Sequence, residues 1–158
     1  MDIAAEISAR FADEWLPKVY KERIRSQRTR AYTLDVPESE NQADIQYTLL
    51  GIELKVGRRR FACPDLATAR YLRVFARIGC REFAIPYDIT MISPAADELE
   101  TSWQRTLIHL DESTVGMPPR RVTQARSKLI KAIRSKLIEI GAGDVMPLFN
   151  RETRRRRP

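Results

Sequence analysis

At 158 residues, 43% of them apolar and 31% charged, the chain is long enough to bury one hydrophobic core. No apolar run approaches the roughly eighteen residues that cross a bilayer, which excludes a transmembrane helix. The net charge is +7, and residues 151–158 supply +4 of it: Arg151, Arg154, Arg155, Arg156 and Arg157 against Glu152 alone.

Residues 2–28 predict helix in two pieces. Ile3, Ile7, Phe11 and Trp15 form one apolar ridge, and Pro17 removes an amide donor and kinks or restarts the chain. The start, Met-Asp-Ile-Ala-Ala-Glu, lacks the basic and apolar regions of a signal peptide. Cys63 and Cys80 show no CxxC spacing. Together these predict a cytoplasmic protein whose thiols pack as small apolar groups.

Tyr32, Leu34 and Val36 alternate like a strand that Pro37 closes, and Glu38 to Gln42 form a loop. Ile45, Tyr47 and Leu49 are apolar at odd positions, whereas Leu50, Ile52, Leu54 and Val56 are apolar at even ones. The parity flips at Leu49–Leu50–Gly51, a bulge or a turn. A two-residue turn at Gly57–Arg58 pairs Leu54 with Phe61 and Ile52 with Cys63 on one face, which favours a single hairpin there and a bulge at Gly51. The defect of that hairpin is Lys55 opposite Arg60, with Glu53 on the diagonal.

Asp65 has the position of an N-cap for a helix that Gly79 ends. Arg70, Arg73 and Arg77 fall within an arc of about 60° on this otherwise apolar helix. They are candidates for an anion-binding edge, or else for ion pairs with Glu38, Glu40 or Asp44. Phe83 and Ile85 give a short strand, and Ser93–Pro94 opens a helix through Leu99, Trp103, Leu107 and Leu110. His109, the only histidine, has no nucleophile motif nearby and is read as structural.

Residues 116–119 form a linker before a last helix reaching about Ile140. Between Val115 and Ile138 there are seven basic residues and no acidic one. Arg120, Arg121, Lys128, Lys131 and Arg134 are candidate phosphate contacts on this amphipathic basic helix. Arg126 and Lys136 sit inside its apolar arc. The predicted fold is α+β: a small, mostly antiparallel sheet with packed helices over residues 1–150, then a disordered arginine-rich tail at 151–158.

Asp44 followed by Glu53-Leu54-Lys55 resembles the core of the PD-(D/E)XK nucleases. The order helix–strand–strand–strand–helix–strand over residues 2–86 is similar to that family's core. The resemblance implies that Asp44 and Glu53, on adjacent strands, hold Mg²⁺ while Lys55 positions or activates water for phosphodiester hydrolysis. A helix acid, Glu6 or Glu14, would assist. Ala43 stands where the family has proline.

A polycationic tail on a nearly balanced body favours a non-enzymatic protein without cofactors. Its tail and basic helix would contact the backbone of DNA or RNA largely without regard to sequence. The alternatives are the Mg²⁺-dependent nuclease and an adaptor that docks an acidic protein.

Overall fold

The Asp2 carboxylate accepts hydrogen bonds from the Ala4 and Ala5 amides at 3.1 and 3.2 Å, and so caps α1 (Ile3–Phe11). This computed structural model describes residues 2–143. The tail predicted at 151–158, with Arg151, Arg154, Arg155, Arg156 and Arg157, lies outside the described residues. A 3₁₀ turn at Ala12–Glu14 follows α1, and Ala12 takes φ 50°. The chain restarts as α2 (Leu16–Val19), with Pro17 in the first turn where its missing N–H costs nothing. The predicted break at Pro17 is thus a helix start, and α2 runs on into a π-helical turn, Tyr20–Ile24.

β1 (Thr29–Thr33) pairs antiparallel with β5 (Glu82–Pro86), Thr29 opposite Pro86 and Thr33 opposite Glu82. The predicted strand through Leu34 and Val36 therefore ends early. Both side chains are buried, but the Arg81 guanidinium takes the carbonyls of Val36 (2.9 Å), Pro37 (2.7 Å) and Glu40. That fixes the segment as a loop rather than a ladder.

β2 (Ala43–Thr48), β3 (Gly51–Val56) and β4 (Arg59–Cys63) form an antiparallel meander. The hairpin at Gly57–Arg58 has the predicted register, with Leu54 opposite Phe61, Ile52 opposite Cys63 and Lys55 opposite Arg60. The expected bulge at Gly51 is instead a second hairpin turn. Thr48 Oγ1 accepts from the Leu50 amide at 3.2 Å and donates to the Gly51 carbonyl at 3.1 Å, while Gly51 takes φ 127°. The single sheet of the sequence reading resolves into two antiparallel sheets, one two-stranded and one three-stranded. Four strands, not three, precede the next helix.

α3 (Leu66–Ile78) begins and ends as predicted. Asp65 accepts from the Thr68 amide at 2.7 Å, and Gly79 closes the helix at φ 83°. α3 is the central element, meeting the meander, the two later helices and, through Phe75, strand β5. The Phe75 and Phe83 rings stack at 4.0 Å, and the buried Tyr71 hydroxyl donates to the Ala84 carbonyl at 2.5 Å.

α4 (Ile92–Ser113) follows a 3₁₀ turn, Ile89–Met91, capped by Asp88 through the Thr90 amide at 3.0 Å. Ser93 is therefore inside the first turn and not the predicted cap. α5 (Pro119–Ile140) starts after a turn in which Gly116 takes φ 83°. It packs on α1, α2 and α3 through Leu129, Ile130, Ile133 and Leu137. A continuous apolar core runs from Ile3 to Leu137. No helix among the described residues is long and apolar enough to cross a membrane.

Candidate nucleic-acid interface

α5 buries only its second half. Over 119–128 Ala125 packs against the core, and Arg120, Arg121, Arg126, Lys128 and Lys131 are exposed, with Arg134 half-buried. At 100° per residue Arg120, Arg121, Lys128, Lys131 and Arg134 occupy an outward arc of about 140°. Among the described residues none of these six cations meets a carboxylate within salt-bridge distance; the ion pair that α5 does make is Lys136 with Glu139 at 3.7 Å.

The arginines of α3 are placed differently. Arg70 donates to Glu100 at 2.6 Å and Asp97 at 2.5 Å, and Arg73 donates to Glu100 at 3.0 Å. Both acids come from α4, one turn apart, and neither is among the partners expected from the sequence. Burial pushes the Glu100 carboxyl up, but the two guanidiniums outweigh it and hold the group below its ordinary range. Arg77 donates to the Ala43 carbonyl at 3.2 Å and lies 3.6 Å from Asp44, the one expected partner that recurs. Burial and the neighbouring Arg73 push the Arg77 guanidinium down. Of the three candidate anion ligands, then, Arg70 and Arg73 are neutralised within the fold, and Arg77 opens onto a cavity.

Clefts flank α5. One of about 280 Å³ receives Lys131 and Arg134 opposite Glu38 and Ser39, and it adjoins one of about 420 Å³ that receives Arg126 and Arg77; Asn41 lines both. On the other flank a cleft of about 750 Å³ receives Arg121 and Lys128 beside Ser113 and Thr114. Arg134 also lies against the C-terminal end of α3, where a Cβ on Gly79 would fall 2.7 Å from its Nη1.

The turn at Leu49–Leu50 places Asp44 directly opposite Lys55, and Glu53 two residues along from Lys55. All three side chains project from the sheet face opposite the buried Leu54 and Val56. Adjacent strands are what the nuclease resemblance requires. Two features weigh against a hydrolytic cation at this pair, however. Asp44 faces the Arg77 guanidinium, and the two carboxylates stand at diagonal positions about 7–8 Å apart at Cα. No cluster of three or more metal-ligating side chains occurs among the described residues. Glu53 Oε2 is buried without a hydrogen-bond partner, and Glu53 pairs with neither Lys55 nor Arg60 among the described residues. Of the suggested helix acids, Glu14 accepts from Arg23 at 3.1 Å, while Glu6 lies 3.5 Å from His109 Nε2 without a hydrogen bond to it.

Neither family models, curated proteins nor solved structures match the chain.

Sequence reasoning reached the α5 cations but passed over Asn41, Gln42 and Trp103, which line the 420 Å³ cavity. Only the position of Arg126 inside the apolar arc signalled that something polar lay beneath the helix.

Proposed function

We propose that the protein binds nucleic acid through phosphate contacts made by the exposed face of α5. The observation that carries this reading is the contrast between two cationic helices. Arg70 and Arg73 of α3 have carboxylates placed against them, whereas Arg120, Arg121, Lys128 and Lys131 project outward with none among the described residues. Uncompensated guanidinium and ammonium groups along one helix edge attract a polyanion and release its counterions, a sequence-independent source of affinity. The arginine-rich segment at 151–158 adds cations to the same chain end. Phosphate contacts of this kind position DNA and RNA alike and carry no base specificity of their own.

Fluorescence anisotropy with labelled DNA and RNA tests the reading. Arg120→Glu/Lys128→Glu/Lys131→Glu is expected to weaken binding on the order of a hundredfold at low salt, whatever the base sequence. Undiminished binding by this variant would overturn it. Failure of the native chain to bind any nucleic acid, with retention of an acidic protein after nuclease treatment, would favour the adaptor instead.

One observation favours a second reading, metal-dependent phosphodiester hydrolysis: Asp44, Glu53 and Lys55 share one sheet face on adjacent strands. Arg77 beside Asp44 opposes it. Cleavage with Mg²⁺ or Mn²⁺ that is lost in Glu53→Ala would support this reading. Absence of cleavage, or cleavage that survives the substitution, would sink it.

A further inference from the structure

Arg126 has an inward helical phase. At 100° per residue it lies within about 20° of Ile133 and Leu137, both buried against the core. A cation on that line would be costly over an apolar contact. Here the helix overlies the 420 Å³ cavity instead, and Arg126 lines it. Arg77 enters the same space from α3. The lining carboxylate, Asp44, is 3.6 Å from Arg77, beyond hydrogen-bond length, so donors of that guanidinium remain available. Half-buried Leu107 of α4 gives the cavity an apolar side, beside the small part of Trp103 that reaches it from the core, where that ring is 4% exposed. Asn41 and Gln42, both exposed, stand on the loop at the rim of the cavity. Two guanidiniums, an apolar side and two exposed amides at the rim make a site for a group that is anionic at one end and flat and polar-edged at the other. The volume is within the roughly 300–1,000 Å³ of small-ligand sites.

We propose that this cavity takes one nucleotide of a single-stranded nucleic acid, its phosphate between Arg77 and Arg126 and its base against Leu107. The amides of Asn41 and Gln42 face the polar edge of that base. The inference rests on the nucleic-acid reading above and adds the strand class. A base held in a duplex is stacked and paired and cannot enter, whereas an unpaired base can be splayed into a side pocket. The α5 face then holds the flanking phosphates, because Asn41 lines both this cavity and the cleft that receives Lys131 and Arg134.

The test uses the full chain and single-stranded and duplex oligonucleotides of equal length, followed by anisotropy. Native protein is expected to bind single strands about tenfold tighter than duplex, because only an unpaired base can enter the cavity. Asn41→Ala/Gln42→Ala, which changes no charge, is expected to bring the two affinities within about twofold while duplex binding stays as it was. Arg126→Ala is expected to erode the same preference, and thermal unfolding of each variant confirms that it folds. Equal affinity of the native chain for both forms would reject the cavity and leave the α5 reading standing, as would a preference that survives in all the variants. No binding to either form would reject both.

Discussion

The Tyr20 hydroxyl donates to the Gly141 carbonyl at 2.7 Å and accepts from the Ala84 amide at 2.8 Å. One fully buried phenol thereby ties the end of α5 to the π-helical turn and to strand β5. Burial pushes its pKa up to about 12, so it remains a neutral donor throughout the physiological range.

Tyr20→Phe keeps the ring and removes both bonds, leaving the buried Ala84 N–H without an acceptor. The expected cost is about 1–3 kcal/mol, the desolvation penalty of an orphaned buried donor. Chemical denaturation measures it. Hydrogen exchange should also show faster opening of the last turn of α5, near Leu137 to Ile140.

Glu100 is the acid that holds α3 to α4, accepting from both Arg70 and Arg73. Glu100→Gln is expected to destabilise by about 2 kcal/mol, since charge-assisted bonds become neutral ones and two guanidiniums lose their counter-charge. For a chain of this size that is a fall of about 4–8 °C in Tm. The folded-state pKa of Glu100 is depressed, so its contribution is complete above the ordinary value of 4.5 and is lost as pH falls through the depressed one. The variant should therefore flatten the acid limb of the stability curve. An unchanged acid limb would mean that other carboxylates set it.

Gly79→Ala tests the joint between α3 and α5. The position needs φ 83°, and a Cβ there would fall 2.7 Å from Arg134 Nη1 and 3.3 Å from the Glu38 carbonyl. Strain in the left-handed region costs about 1–2 kcal/mol, and displacement of Arg134 adds to it. A loss of at least this size in equilibrium unfolding is the expected outcome.

Some of this fold was legible because local chemistry and tertiary packing agree. Asp65 and Gly79 bound α3 in sequence and in structure alike, and the register of Leu54 with Phe61 followed from alternation alone. At Leu49–Leu50 the two disagree. Apolar residues rarely occupy a turn, so the parity flip read as a bulge, yet Thr48 and the positive φ of Gly51 supply the turn chemistry and leave both leucines in solvent, at 106% and 96% exposure. Leu34 and Val36 misled in the opposite sense: they alternate like a strand and are buried, but Arg81, more than forty residues away, claims the carbonyls around them. The partners of Arg70 and Arg73 were out of reach for the same reason, because Asp97 and Glu100 meet them only once α4 folds back on α3. The α5 cations needed no such contact to be seen.

Because Leu49 and Leu50 make no burial, Leu49→Ser/Leu50→Asp should change unfolding free energy by no more than about 0.5 kcal/mol. A larger loss would show that the pair has a packing role in the fold.

The central claim is that uncompensated charge on α5 binds phosphate, and the salt dependence of affinity tests it most directly. Each phosphate neutralised on a duplex contributes about −0.9 to the slope of log K against log salt. Comparing the native chain with Arg120→Ala/Lys128→Ala/Lys131→Ala, the account predicts a slope shallower by about 2–3 in the variant. A steep slope that is identical in both proteins would place the phosphate contacts elsewhere and contradict it.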